Sequence, residues 1–215
     1  MPDAAKTSVG RGLPGRKAQA ARNDGLILEA AREVFLADAN APIAAVAERA
    51  GVGISALYRR YPGKEALLRT LCHEGLRRYN AEADAALREE DGWRGLVGFL
   101  ERVVDADVHS LTMHLAGTFT LDESMLPDVR HAEQVNRELV RRAHESGRLR
   151  ADVDYPDLSL ILEACAAIIT PDRVRTGQLR RRTLALIVAG LSVEGELPGP
   201  APEPGEFAWR WARRG

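Results

Sequence analysis

Of thirty basic residues only Lys6, Lys17 and Lys64 are lysine, and cysteine occurs just twice, as Cys72 and Cys165. The scarcity of lysine, beside abundant alanine, reflects a GC-rich genome rather than a chemistry. Two cysteines cannot build a disulfide framework, and without a Cys-x-x-Cys pair they supply no zinc site. No apolar run approaches the ~18 residues of a spanning helix, and the first thirty residues hold no apolar core of a signal peptide. The chain is therefore expected to be cytoplasmic and independent of membranes. GxSxG, HExxH, P-loop and GxGxxG motifs are all missing, which removes the familiar hydrolase, metalloprotease and nucleotide-binding readings. No cofactor is expected. His109 and His114 stand five apart, off the spacing of a helical metal pair, and His73 beside Cys72 does not share its helix face.

What is present is ordinary in bulk and uneven in distribution. The 215 residues are 45% apolar and 28% charged, the balance of a soluble globular protein, and suit one main unit with a smaller module appended. The formal charge is only −1, but residues 1–69 hold eleven Lys or Arg against seven Asp or Glu, while the rest holds nineteen against twenty-four. A basic N-terminal third followed by an acidic remainder suits one end of the molecule to a polyanion.

Hydrophobic periodicity predicts helices throughout and no strand. Residues 1–20, rich in glycine and proline near the start and carrying Arg11 and Arg16, read as a flexible basic arm. From Asn23, the positions Leu26, Ile27, Ala30, Ala31, Val34 and Phe35 line one face of a helix. A short helix follows Pro42 and breaks at Gly51; another spans Gly53 to Tyr61 and closes at Pro62-Gly63. A long helix from Gly63 carries Leu68, Leu71, Cys72, Leu76, Tyr79, Ala83 and Ala86. Further helical stripes run from Trp93 to Leu111 and from Val129 to Ala143. Two last helices, 157–169 and 178–191, are apolar nearly all round. Residues 192–215 are a Pro/Gly-rich linker and a tail with Phe207, Trp209 and Trp211.

The chemistry concentrates in Val46-Ala47-Glu48-Arg49-Ala50-Gly51-Val52-Gly53-Ile54-Ser55-Ala56-Leu57-Tyr58-Arg59-Arg60-Tyr61, two short helices joined by a glycine turn. In this helix-turn-helix pattern small Ala47 permits close packing and Val46 and Leu57 bury between the helices. Ile54, Ser55, Ala56, Tyr58 and Arg59 then face outward on a helix slim enough for a major groove. From spacing alone, an αα-corner within a helical enzyme, or an architectural DNA-binding protein without an effector, would use the same two helices.

The segment Arg22 to Leu68, with AERAGVGISALYRRYPGKEAL at its centre and ILEAAREVF as its leading helix, closely resembles the DNA-binding domain of TetR-type transcriptional repressors. That resemblance implies an all-α protein: a three-helix DNA-binding domain at 21–67, a long connecting helix, and a helical ligand-binding and dimerisation domain over 68–191. It places Tyr58, Arg60 and Lys64 at phosphates or the groove edge, and Ile54, Ser55 and Ala56 at base edges. Two positions depart from the family pattern: Ala41-Pro42-Ile43 replaces a hydroxyl-bearing pair, and Gly53 stands where serine is common.

The implied partners are double-stranded DNA, as a palindromic operator, a second copy of the chain, and a small hydrophobic effector whose binding releases the DNA. Candidates for the effector pocket are Trp93, Leu96, Phe99, Leu100, Val103, Met113, His114 and Phe119, with His109 and Thr118 as polar groups. Leu158, Ile161, Leu162, Cys165, Thr183 and Ile187 are expected at the dimer interface, because two apolar-all-round helices carry more greasy surface than one copy buries.

Overall fold

The computed structural model describes residues 14–109, 123–192, 195, 197–204 and 206. Among the described residues, eight α-helices and one 3-10 turn make up most of the regular structure, with no strand. Leu111, Met113, His114, Thr118 and Phe119, and the tail aromatics Phe207, Trp209 and Trp211, lie outside them.

The first helix, α1 (Pro14–Ala37), begins inside the segment expected to be a flexible arm. Residues 14–22 contain good helix formers but no apolar stripe, so periodicity gives no signal there, and Pro14 in the first turn has no helical N–H to lose. α2 (Ile43–Ala50) stops at Gly51, whose φ of 66° lets its N–H close onto the Ala47 and Glu48 carbonyls. α3 (Ile54–Arg60) ends where Pro62 steers Tyr61 to extended angles, φ −125° and ψ 106°. α4 (Lys64–Ala86) follows, its 23 residues spanning about 35 Å at 1.5 Å per residue.

The Asp91 side chain caps α5 (Gly92–Asp105) by accepting from the Arg94 N–H at 3.0 Å. α5 ends in a turn where Asp107 takes a φ of 50°, so Val108, placed by the Trp93-to-Leu111 stripe in the same helix, lies beyond it. After the 3-10 turn Glu123–Met125 come α6 (Leu126–Glu145), α7 (Asp157–Ala166) and α8 (Arg173–Gly190). α8 starts at Arg173 rather than 178 because Asp172 caps it, accepting from the Val174 N–H, and Gly177 sits inside the helix instead of ahead of it.

Two hydrophobic cores organise these helices. The N-terminal one joins Ile27, Ala31, Phe35, Val46 and Leu57 to Leu67, Leu68, Leu71 and Cys72 of α4, and takes in Met125 from the 3-10 turn. The other gathers Ala83 and Ala86 of α4 with α5, α6, α7 and Leu184 of α8. The boundary expected between residues 67 and 68 therefore falls farther along α4, beyond Cys72. Gly92 brings α5 against α6 so closely that a β-carbon there would collide with the Arg142 backbone carbonyl. The Arg142 guanidinium donates to the carbonyls of Leu87 and Glu89, satisfying acceptors that the end of α4 leaves open.

Phe99 is fully buried, its ring edge-on to Tyr79 with centroids 5.1 Å apart. Phe99→Ala is expected to lower the unfolding free energy by about 3–5 kcal/mol, read from urea denaturation curves. A cost below about 1 kcal/mol would mean that the ring does not pack as described.

Candidate nucleic-acid interface and internal recess

The short helices α2 and α3 are held by burial on one side only. Val46 and Leu57 are fully enclosed and Ala47 nearly so, which commits the inner face of each helix to the three-helix unit. The outer face of α3 has no packing duty: Ile54 is 40% and Tyr58 48% exposed, and Ser55 and Arg59 face solvent beside them. Ala56, expected among the outward residues, is half-buried. Arg60 is exposed but tethered, donating to the Asp24 carboxylate at 2.9 Å and lying over the Tyr61 ring. The Asp24 hydrogen bond raises the Arg60 pKa further.

Lys64 has work inside the unit. Its ammonium donates to the carbonyls of Ala39 and Ala41, each at 2.8 Å, and stands 5.1 Å from the centre of the Phe35 ring. Burial lowers its pKa, and two of its three N–H bonds are spent on tying α4 to the α1–α2 connection.

Among the described residues of the C-terminal unit, Trp93, Leu96, Phe99 and Leu100 are in closed packing, and of the expected pocket residues Val103 alone borders open space. Open space lies instead at the far end of that helix. Val103 and Val104 form one wall, Leu162, Cys165 and Ala166 of α7 another, and Asp107, His109 and Arg180 are its polar groups. The recess encloses about 10 Å³, room for about one water. Burial pushes the Cys165 thiol above its usual pKa, so this sulfur is an inert wall at neutral pH.

The Arg180 side chain is only 8% exposed. It donates to the carbonyls of Ile168 at 3.0 Å and Ala166 at 3.2 Å and pairs with the Asp107 carboxylate. On the other side of Asp107 sits Arg32 of α1, which donates to the main-chain carbonyls of Ala106, at 3.1 Å, and Asp107, with the Asp107 carboxylate 3.9 Å away. Burial lowers the Arg32 pKa against the opposing pull of Asp107. One turn thus holds an arginine from each unit. Glu33 makes a parallel bridge, to Arg49 of α2 and, at 3.3 Å, to Arg173 of α8.

These arginines escaped notice in the sequence, although a signal existed. Arg180 occupies the core-facing stripe Thr176, Arg180, Leu184, and Arg32 lies between Leu28 and Phe35 on the buried face of α1. A charged residue at an apolar register position marks a paired ion, whereas nothing in the pattern singles out Asp107.

Of the residues expected at the dimer interface, Leu158, Ile161, Leu162 and Cys165 pack in the chain's own core, and Thr183 and Ile187 are half-buried. Left outside are Leu160, at 43%, and Ala164 on α7 with Ala167 just past its end, and Leu186, at 67%, with Ala185 and Ala189 on α8.

Two family models match the chain: bacterial regulatory proteins of the tetR family over residues 27–71, and the C-terminal domain of SbtR-like transcriptional regulators over residues 93–193. A TetR transcription regulatory protein from Mycobacterium vanbaalenii is 30% identical, the match covering 83% of this chain and 99% of that one with a TM-score of 0.57. The chain belongs to the TetR family. Accordingly it is a DNA-binding transcriptional regulator and not an enzyme. Two further TetR structures share the fold: a regulator from Streptomyces coelicolor, 22% identical over 80% of this chain and 99% of that one with a TM-score of 0.59, and LfrR from Mycobacterium smegmatis, in complex with proflavine, 21% identical over 78% and 96% with a TM-score of 0.51. No curated protein sequence matches. Among the described residues of this TetR protein no helix is long and apolar enough to cross a membrane, and no three His, Cys, Asp or Glu side chains are grouped to hold a metal.

Because Lys64 satisfies two carbonyls, Lys64→Ala is expected to destabilise the N-terminal unit by about 1.5–3 kcal/mol, the range for hydrogen bonds to a charged donor. Thermal melts of the variant and wild type check this; coincident melts would show the lysine to be dispensable to the fold.

Proposed function

We propose that this TetR-family regulator is a homodimeric repressor, binding a palindromic operator through α3 and leaving it when a small molecule occupies the C-terminal unit. The observation that carries the reading is the unburdened outer face of α3, where Ile54, Ser55, Tyr58 and Arg59 stand clear of the core. Their chemistry suits a major groove: a hydroxyl and a guanidinium for base edges, and apolar groups for thymine methyls. Tyr58, Arg60 and the remaining N–H of Lys64 border the groove-facing residues and are assigned to phosphates, with Ala56 contributing at most its edge. Arg60 exchanges its Asp24 partner for a phosphate in that step.

For the dimer, the exposed stripes of α7 and α8 are the proposed contact, replacing the interior residues first expected. Leu160, Leu186 and their alanine neighbours would form a four-helix interface across a two-fold axis, with Thr183 and Ile187 at its margin. A small effector is supported by the proflavine complex of a protein with the same fold. An effector releases DNA only by binding the DNA-incompetent arrangement more tightly.

Duplexes tiled from the region upstream of the gene, titrated at two salt concentrations, test the DNA assignment. Arg60→Gln is expected to weaken binding to every duplex and reduce the salt slope by about one unit, whereas Ser55→Leu costs about 1–3 kcal/mol at one base position and leaves the slope alone. Equal affinity for all sequences in the wild type would instead identify an architectural binder. Leu186→Glu is expected to yield folded monomers in sedimentation velocity at micromolar concentration, while Ile161→Glu unfolds the chain through an unpaired buried charge. A Leu186→Glu protein that remains dimeric would remove α8 from the interface.

A further inference from the structure

The α4 helix joins the two units and Met125 packs beside it, but contacts along one rod leave rotation about that rod as the softest motion. A contact that opposes such rotation must lie off the rod. Two consecutive residues of α1 supply contacts of that kind. Arg32 donates to the carbonyls at the end of α5, those of Ala106, at 3.1 Å, and Asp107. Glu33 divides its carboxylate between two helices: one oxygen takes Arg49 of α2 at 2.5 Å and the other takes Arg173 of α8 at 3.3 Å.

Both partners of Glu33 stand where position is passed on. Arg49 lies in the last turn of α2, two residues ahead of the Gly51 turn that leads into α3. Arg173 opens α8 at a stiff corner, where the Asp172 carboxylate caps the helix, the Thr170 N–H donates to the Thr176 hydroxyl at 3.0 Å, and the Thr170 hydroxyl donates to the Asp172 carbonyl at 2.8 Å. The outer stripe of the same α8 is the surface assigned to the second copy. A short chain of bonded groups therefore runs from the dimer helix to the helix pair that meets DNA.

We propose that Glu33 and Arg173 are positioning residues that hold each α2–α3 pair at a fixed angle to α8, and so set the spacing between operator half-sites that the dimer accepts. This rests on the homodimeric, palindrome-binding reading and adds what fixes the spacing. One extra base pair between half-sites lengthens the operator by about 3.4 Å and turns one half-site by about 34° against the other. Shared between two copies, the turn is about 17° for each DNA-binding unit. A group one helix spacing, about 10 Å, from the α4 axis then moves about 3 Å. That displacement matches the 3.3 Å length of the Glu33–Arg173 pair, so a dimer that straddles the longer site does so with the pair broken.

The test uses the full chain and three duplexes: the upstream operator, the same operator with one base pair inserted between its half-sites, and a single half-site. Affinities are read by fluorescence anisotropy. Wild type, with the Arg32 and Glu33 contacts intact in both copies, is expected to prefer the natural spacing by about tenfold or more. Glu33→Gln and Arg173→Gln are each expected to shrink that preference by about threefold, since the pair is lost in both copies, and to leave half-site affinity unchanged. A merely structural role would lower all three affinities together and leave the preference alone. Glu33→Gln also touches Arg49 within the DNA-binding unit; if it melts early, Arg173→Gln decides, because it cuts only the contact with α8. An Arg173→Gln protein with the wild-type spacing preference, or a wild-type dimer indifferent to the insertion, would overturn the proposal. A wild type that stays monomeric in sedimentation, or binds no upstream duplex, would sink the homodimeric repressor reading itself, a result read before any variant is made.

Discussion

The α4 helix lies in two hydrophobic cores at once. Its first turns contribute Leu67, Leu68, Leu71 and Cys72 to the N-terminal unit, and its last turns contribute Ala83 and Ala86 to the C-terminal one. Neither unit is complete without it, because a single helix cannot bury its stripe alone and each core closes on a different stretch of the same one. The α2–α3 pair is consequently positioned by contacts that begin in the other half of the molecule. Met125, from the turn before α6, extends the shared packing back into the N-terminal core.

Polar contacts refine what α4 establishes. His73 of α4 meets the Asp128 carboxylate at 2.7 Å, holding it below the usual carboxylate pKa, and Asn80 donates to the Asp128 carbonyl at 2.9 Å. Tyr79 donates to Asn136 at 2.9 Å, and burial keeps its phenol far above any working pH. These bonds fix α6 against α4, while Arg32, Asp107 and Arg180 fix α1 against the far ends of α5 and α8. The units are joined by apolar packing along one helix and by ion pairs beside it. Such ion pairs can be exchanged in a way that a packed core cannot.

The parts of this architecture that were legible in the sequence are those written in local chemistry. Gly51 and Pro62 punctuate α2 and α3, and the burial of Val46 and Leu57 followed from their spacing. Periodicity was silent about residues 14–22, which are helical without an apolar face. It was ambiguous for α7, where Leu158, Ile161 and Leu162 describe one greasy face and Leu160, Ala164 and Ala167 another. Only the position of α5 decides that the first is interior. The role of Lys64 was illegible for a different reason: its carbonyl partners lie 25 and 23 residues back, a through-space relation that no spacing rule encodes. Likewise Phe99 looked like a pocket aromatic because a core residue and a pocket residue share a composition and differ only in whether space remains beside them.

A rigid rod about 35 Å long is also a lever arm. If α4 pivots where Ala83 and Ala86 are clamped, a tilt of about 5° carries its N-terminal end through about 3 Å, since displacement grows with length at 1.5 Å per residue. That travel equals a hydrogen-bond length, close to the 3.1 Å separating the Arg32 guanidinium from the Ala106 carbonyl. An angular change too small to disturb the packing at one end is therefore large enough to make or break polar contacts at the other. The stiffness of the helix converts modest rotations into discrete switching of its neighbours.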